Sequence, residues 1–233
     1  MSAKLKAIHT HALDFWLARS SVVVVCALQL LIINKLTLGP QWFGPALEFS
    51  LLAPLSMATA WTQGQAREAT ADHHWHRVAR WRRGIRKLAV TLTALVSIMN
   101  LAALVMLVKA LLGGHSGTSG QTLLLDAINI WTTNVIAFAL WFWSIDRGGP
   151  AARGLTESEV DDFLFPQMTL DQCKGWSPGF ADYLYVSFTN ATAFSPTDTM
   201  PMTGRTKLLM MAESVISLLT IALVAARAVN ILA

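Results

Sequence analysis

Residues 182–201 read DYLYVSFTNATAFSPTDTMP, and after Met202 and Thr203 the chain continues GRTKLLMMAESVISLLTIALVAA over 204–226. The first twelve residues of this stretch predict a short helix. They are too few to cross a bilayer, which takes about 20 apolar residues. Pro196 then stops the helix, because it has no N–H and its ring clashes with the preceding turn. Ser195, Thr197, Asp198 and Thr199 form a polar extended stretch, and a full apolar span follows over 208–228. A half-helix, a polar turn and a long helix together outline a re-entrant loop over 182–201. Non-helical backbone at membrane depth is tolerated only where it is buried in protein or lines water.

The rest of the chain is of the same kind. Of its 233 residues 54% are hydrophobic and 14% charged, against about 25% charged in soluble domains. Four further apolar runs predict spans at 13–33, 46–61 (short, and interrupted by Pro54), 88–112 and 123–143. The fold class expected is therefore all-α: a polytopic transmembrane bundle of five spans plus one re-entrant loop. Lys4 and Lys6 precede a first run too long for a signal peptide, so that run reads as a retained span. Trp16, Trp42, Trp61, Trp141 and Trp143 fall near span ends, where interfacial aromatics gather. Cys26 lies in the first run and Cys173 in a long loop, so no disulfide framework is expected. No internal repeat is visible, which disfavours an inverted-repeat transporter.

Charge orients the bundle. The 62–87 connection carries Arg67, Arg77, Arg80, Arg82, Arg83, Arg86 and Lys87, whereas the Gly/Ser turn at 113–121 has no Lys or Arg. The connection at 146–181 is acidic, with Glu157, Glu159, Asp161 and Asp162. Two spans separate the basic loop from the acidic one, so both share one side of the membrane. The positive-inside rule puts both, and the N-terminus, in the cytoplasm. The net charge of +4 thus reports membrane orientation, and no nucleic-acid partner is expected. The acidic run reads as a solvated helix start with Thr156 as cap and Glu159 at the third position, or as a ring concentrating cations at a mouth. Arg77, Arg80, Arg83 and Arg86 recur every third residue, but they precede the apolar run, so they read as a juxtamembrane basic helix on anionic lipid.

Inside the spans, polar residues fall into stripes. Glu213, Ser217 and Thr220 share one face of the last span, and a carboxylate there needs a partner or water. It reads as support for the loop or as part of an ion path. Asp126, Asn129 and Thr133 line a face of the fourth span, and Thr93, Ser97 and Asn100 one of the third. Such stripes fix helix register, and Asp126 is charged enough to relay a proton or cation. Asp72-His73-His74-Trp75-His76 is the one metal-like cluster. Asp72 and His76 are one turn apart with His73 beside them, too few ligands for a firm site. No phosphate loop, Ser/His/Asp order or CxxC pair is present, so neither an enzyme nor a cofactor is expected.

The motif Asp182-x-Leu-Tyr-x-Ser-Phe, then Thr192, Asp198, Pro201, Gly204-Arg205 and Leu208-Leu209-x-Met-x-Glu213, resembles the pore helix, filter and inner helix of potassium-channel-type pore-loop proteins. Ala222 to Val229 is similar to the end of that inner helix. The segment also resembles a group of bacterial membrane proteins that carry this loop. The resemblance implies an N-terminal three-span region at 1–112. It implies a pore-like module at 121–233, with outer helix 123–143, acidic loop 146–181, re-entrant loop 182–201 and inner helix 208–228. It also implies a homotetramer around the loop axis in a bacterial inner membrane, monovalent cations as cargo, and a constriction at Thr192, Ala193, Phe194, Ser195, Pro196, Thr197, Asp198 and Thr199. The family has threonine-valine-glycine-tyrosine-glycine where this chain has Ala193-Phe194-Ser195-Pro196-Thr197. Without the two glycines, the alternating left-handed backbone that aims carbonyls at a dehydrated ion is not expected to form. What is expected is a wider, hydrated, side-chain-lined constriction. Potassium channels carry this loop on the outer face. The charge count puts it on the cytoplasmic face, as in ionotropic glutamate receptors. The alternatives left open are a non-conducting scaffold or partner subunit, and a small-solute or proton transporter.

Overall fold

The computed structural model describes residues 12–31, 43–54, 56, 75–112, 120–150, 161–173, 176–192 and 198–232. It contains the helices α1 (Ala12–Leu31), α2 (Phe43–Ser50), α3 (Trp75–Leu112), α4 (Gly120–Ile145), α5 (Phe180–Thr192) and α6 (Gly204–Leu232). Two-residue strands β1 (Phe163–Leu164) and β2 (Met200–Pro201) pair antiparallel, Phe163 opposite Pro201. Among the described residues, three helices are long and apolar enough to cross a membrane, over Gly84–Leu111, Gln121–Gly148 and Gly204–Ala226. These correspond to the third, fourth and last expected spans. In the second, the helix ends at Ser50 and Leu51 forms a turn. Pro54 explains the break, since it cannot donate to the carbonyl of residue 50.

α4 is the hub. It packs against α1, α3, α5 and α6, and most of its span is buried, whereas the spans of α3 and α6 are mostly exposed. Its inward residues are apolar and often small, with Ala127, Val135, Ala137 and Ala139 letting neighbouring backbones approach. Near the end where α4 stops, an aromatic chain binds the elements together. Trp143 meets Phe15 of α1 and Phe180 of α5 edge-on, at 5.3 Å in each case. Phe163 of β1 meets Phe142 at 5.1 Å and Tyr183 at 6.0 Å. Trp143 is fully buried, which corrects the expectation of an interfacial residue. Trp16 is 63% exposed, with the Arg19 guanidinium 5.4 Å from its ring. Trp141 donates to Ser97 across the α3–α4 seam at 3.1 Å.

The basic connection is also revised. A basic helix at 77–86 within the 62–87 connection and a separate third span starting at 88 were expected; α3 joins the two and runs unbroken from Trp75 for 38 residues. At 1.5 Å per residue it is about 57 Å long, roughly twice a hydrocarbon core. Its basic start therefore continues the span rather than looping away from it. Arg86 donates from Nε to the Ser144 carbonyl at 3.1 Å and from Nη2 to that of Ile145 at 3.4 Å. A guanidinium on the last carbonyls of α4 satisfies groups the helix leaves open. It also brings the end of the basic segment beside the start of the 146–181 connection.

Candidate functional site

The end of α4 is built to hold a carboxylate. Arg147, Gly148 and Gly149 all have positive φ, which terminates the helix. A β-carbon on Gly149 would stand 2.8 Å from the Ser144 carbonyl oxygen, so the turn requires glycine there. Asp146, fully buried, accepts from the backbone N–H of Asp162 at 2.9 Å and of Phe163 at 3.3 Å through Oδ1, and from Tyr183 OH at 2.5 Å through Oδ2. One side chain thus joins the end of α4, the connection after it and the first turn of α5.

Asp162 closes the other half of this clamp. It is fully buried and receives Arg205 in a two-pronged pair, from Nε at 2.8 Å and from Nη2 at 2.5 Å. Thr203 Oγ1 donates to it at 2.5 Å and Thr206 Oγ1 at 3.1 Å. Its carbonyl accepts from Met202 N–H at 2.8 Å. Burial works against the Asp162 charge. The hydrogen bonds from Arg205 and Thr203, the Arg205 charge and the Thr206 hydroxyl outweigh it and hold its pKa below the ordinary aspartate value. The carboxylate also stands at the N-terminus of α6, where helix and negative charge attract. Asp161 lies on the rim, paired with Arg147 at 2.9 Å and half exposed; burial, against the attraction of Arg147, pushes its carboxyl upward. The expectation that Asp161 and Asp162 are free, solvated acids is therefore corrected. Glu157, Glu159 and the Thr156 cap lie outside the described residues.

α5 starts on a second carboxylate pair. Gly179 N–H donates to Asp182 Oδ2 at 2.7 Å, the reach-back of a capping box. Phe180 N–H donates to Asp14 of α1 at 3.3 Å. A β-carbon on Gly179 would fall 2.5 Å from Asp14 Oδ1, so the close approach depends on glycine. The helix then runs 13 residues, about 20 Å. Ser187 donates to the Val135 carbonyl of α4 at 2.7 Å and also to Glu213 of α6. Asn190 donates to the Met210 carbonyl at 2.9 Å and to Glu213 Oε2 at 2.6 Å. By Met200 the chain is back beside β1. Tyr183 near one end of this segment and Thr203 and Arg205 just past the other all reach the Asp146–Asp162 clamp.

Glu213 is fully buried with both oxygens engaged by α5. Ser217, on the same stripe, accepts from Asn134 Nδ2 at 2.9 Å, and Thr220 donates to its own helix at the Ile216 carbonyl at 2.8 Å. Asn100 of the third stripe donates to the Ile130 carbonyl at 3.1 Å. Asp126, Asn129 and Thr133 are buried at 2%, 3% and 2% exposure. Among the described residues, no hydrogen-bond partner reaches either carboxylate oxygen of Asp126, Asn129 Oδ1 or Thr133 Oγ1. The constriction is described only at its edges. Thr192 donates to the carbonyls of Phe188 and Thr189, at 3.0 and 3.1 Å. Asp198 is exposed and Thr199 buried. Ala193, Phe194, Ser195, Pro196 and Thr197 lie outside the described residues, as do Asp72, His73 and the His76 side chain. Among the described residues no cluster of three metal ligands occurs.

Asp14, Asp146 and Tyr183 were not singled out from sequence, Arg205 was named only as part of the Gly204-Arg205 motif, and Asp162 was read as solvated. A carboxylate at a span end looks like an ordinary boundary residue until the fold supplies its donors. The Asp182 reach-back was legible in principle, because Asp182 sits three residues after Gly179. Comparison with protein-family models, with curated proteins and with solved structures finds no match to this chain.

Proposed function

We propose that this chain is one subunit of an oligomeric, cation-conducting membrane channel with five spans. In this reading 182–201 is a re-entrant loop entering from the cytoplasmic face, and the constriction is lined by side chains instead of glycine-rich backbone. The observation that carries the reading is the return of the chain. A 13-residue helix leaves the Asp146–Asp162 clamp, and β2 comes back to it. In this reading the turn between them lies within the bundle. Irregular backbone at that depth needs protein or water around it.

Two further features support the proposal. Leu208, Met211, Val215 and Leu218 of α6 are each more than half exposed, a face that neighbouring subunits or lipid must cover. One loop cannot enclose a pore, so a fourfold ring, as the resemblance implies, would surround the axis with four loops and four α6 helices. Glu213 is held by Ser187 and Asn190, which favours support of the half-helix over an ion path. Asp198, exposed beside β2, is the residue assigned to attract cations at the mouth. Cytoplasmic loop insertion rests on the basic residues of 62–87 and on the Arg86 contact with the end of α4.

Planar-bilayer recording of the purified oligomer tests the function. Unitary currents reversing at the cation equilibrium potential are expected, with smaller conductance in Asp198→Asn. Silent bilayers containing intact oligomer would overturn it in favour of a scaffold or partner subunit. Solute-coupled flux without unitary currents would instead favour a transporter. For sidedness, a Ser158→Cys variant in a Cys26→Ser/Cys173→Ser background should label only from the cytoplasm.

A further inference from the structure

We infer that Asp126 and Asn129 form a binding site for a monovalent alkali cation inside the bundle, separate from the loop. The two residues lie one turn apart on α4, with Thr133 a further turn along the same face. All three are at least nine-tenths buried. The unpartnered atoms are all oxygens: Asp126 Oδ1 and Oδ2, Asn129 Oδ1 and Thr133 Oγ1. The buried polar stripe of α6 differs: each of its members receives a donor or donates onward. Glu213 has Ser187 and Asn190, Ser217 has Asn134, and Thr220 has its own helix.

The surroundings define what can satisfy this row. Leu104 and Leu107 of α3, Leu123, Ala127 and Ile130 of α4, and Leu223 of α6 form the apolar cluster at this level. Lys109, the basic side chain near this end of α3, is exposed and does not pair with Asp126. Glu213, the acid of α6, is already engaged. A buried carboxylate in such a setting needs a positive charge brought to it. One carboxylate with neutral oxygens balances one positive charge. A divalent ion would leave charge uncompensated in apolar surroundings and prefers more carboxylate ligands. Hard oxygen donors suit an alkali ion. Asp126 supplies the charge and the first contact, Asn129 the second, and Thr133 extends the row by one turn.

Binding is measurable in detergent without conduction, so its failure and that of the channel reading are distinguishable. Thermal unfolding of the purified protein is followed while NaCl replaces choline chloride at constant ionic strength and neutral pH. The expected result is a saturable rise in the midpoint with Na⁺ that is lost in Asp126→Asn and weakened in Asn129→Leu, while Glu213→Gln retains it. Infrared spectroscopy adds an independent readout, since a protonated-carboxyl band assigned by Asp126→Asn should fall as Na⁺ rises. An equal response to choline, a Na⁺ response that survives in Asp126→Asn, or a carboxyl band unchanged at every Na⁺ concentration would overturn the proposal. The last outcome would make the occupant a proton.

Discussion

Glu213 and Asp126 are both carboxylates buried in membrane-spanning helices, yet they stand in opposite circumstances. Glu213 faces a half-helix that brings it a hydroxyl and an amide. Asp126 faces an apolar cluster and receives no donor. The Asp146–Asp162 clamp extends the first pattern to the loop end, where each carboxylate oxygen meets a donor from a different element. Fully satisfied acids hold pieces of chain together; an unsatisfied one is available for something that comes from outside. The two patterns therefore separate framework from candidate function more sharply than burial does, since all four acids are buried.

The largest effect should come from breaking the clamp. Arg205→Ala leaves Asp162 buried with only its threonine donors and, because the Arg205 side chain is half exposed, should cost about 2–3 kcal/mol, read by denaturant titration in detergent micelles. A wild-type-like titration would remove the clamp from the framework. Next in size, Asp126→Leu should stabilise the protein in Na⁺-free choline buffer by about 2 kcal/mol, because it removes a carboxylate buried without a donor near the start of α4. Destabilisation there would mean that Asp126 has a donor after all and would erase the contrast with Glu213. Glu213→Gln sets an amide N–H₂ against one of two donors and should cost about 1–2 kcal/mol. If it matches Asp126→Leu in sign, the distinction between the two acids fails. Gly179→Ala pushes a methyl toward the Asp14 carboxylate and should cost about 1 kcal/mol, visible as faster amide exchange in the first turn of α5.

The smallest expected effect is one of pH. The folded Asp162 value lies below the unfolded one. Its contribution is therefore complete at neutral pH and is lost only as the pH falls through the folded value, below the ordinary aspartate value of about 3.9. Unfolding midpoints should stay flat for the clamp from neutral pH down to that range and then drop, with the drop muted in Arg205→Ala. Midpoints that rise as the pH falls from neutral would point instead to Asp161, whose carboxyl is shifted the other way because burial penalises its charged form.

Much of the architecture was legible before any coordinates. The three apolar helices fall where hydropathy put them, and the break before Pro54 and the short helix after the acidic connection follow from chain chemistry. The α5 helix begins two residues earlier than Asp182, because Asp182 caps from inside the first turn rather than standing before it. Trp143 misled because an indole two residues from a span end resembles an interfacial anchor, while its burial depends on Phe15 and Phe180, distant in sequence. The basic stretch at 77–86 was legible as a helix, but its continuity with the span was not: polarity ends an apolar run without ending a helix, and α3 continues through Arg86 and Gly84 to Trp75. Of the site residues, Glu213, Ser217 and Asp126 stood out as polar atoms in apolar runs. Asp146 and Asp162 did not, because acids beside a loop are ordinary.

Sequence by itself determined that this chain is helical and built for an apolar solvent, since backbone hydrogen bonding in a bilayer leaves helices as the economical way to carry such runs. It also determined that the polar atoms in those runs needed partners. Only the tertiary structure decided which of them found one. Ser187 and Asn190 reach Glu213 because α5 lies against α6, and no comparable element brings a donor to Asp126. Partnering depends on which helices pack side by side, a long-range relation that residue spacing along one helix does not encode.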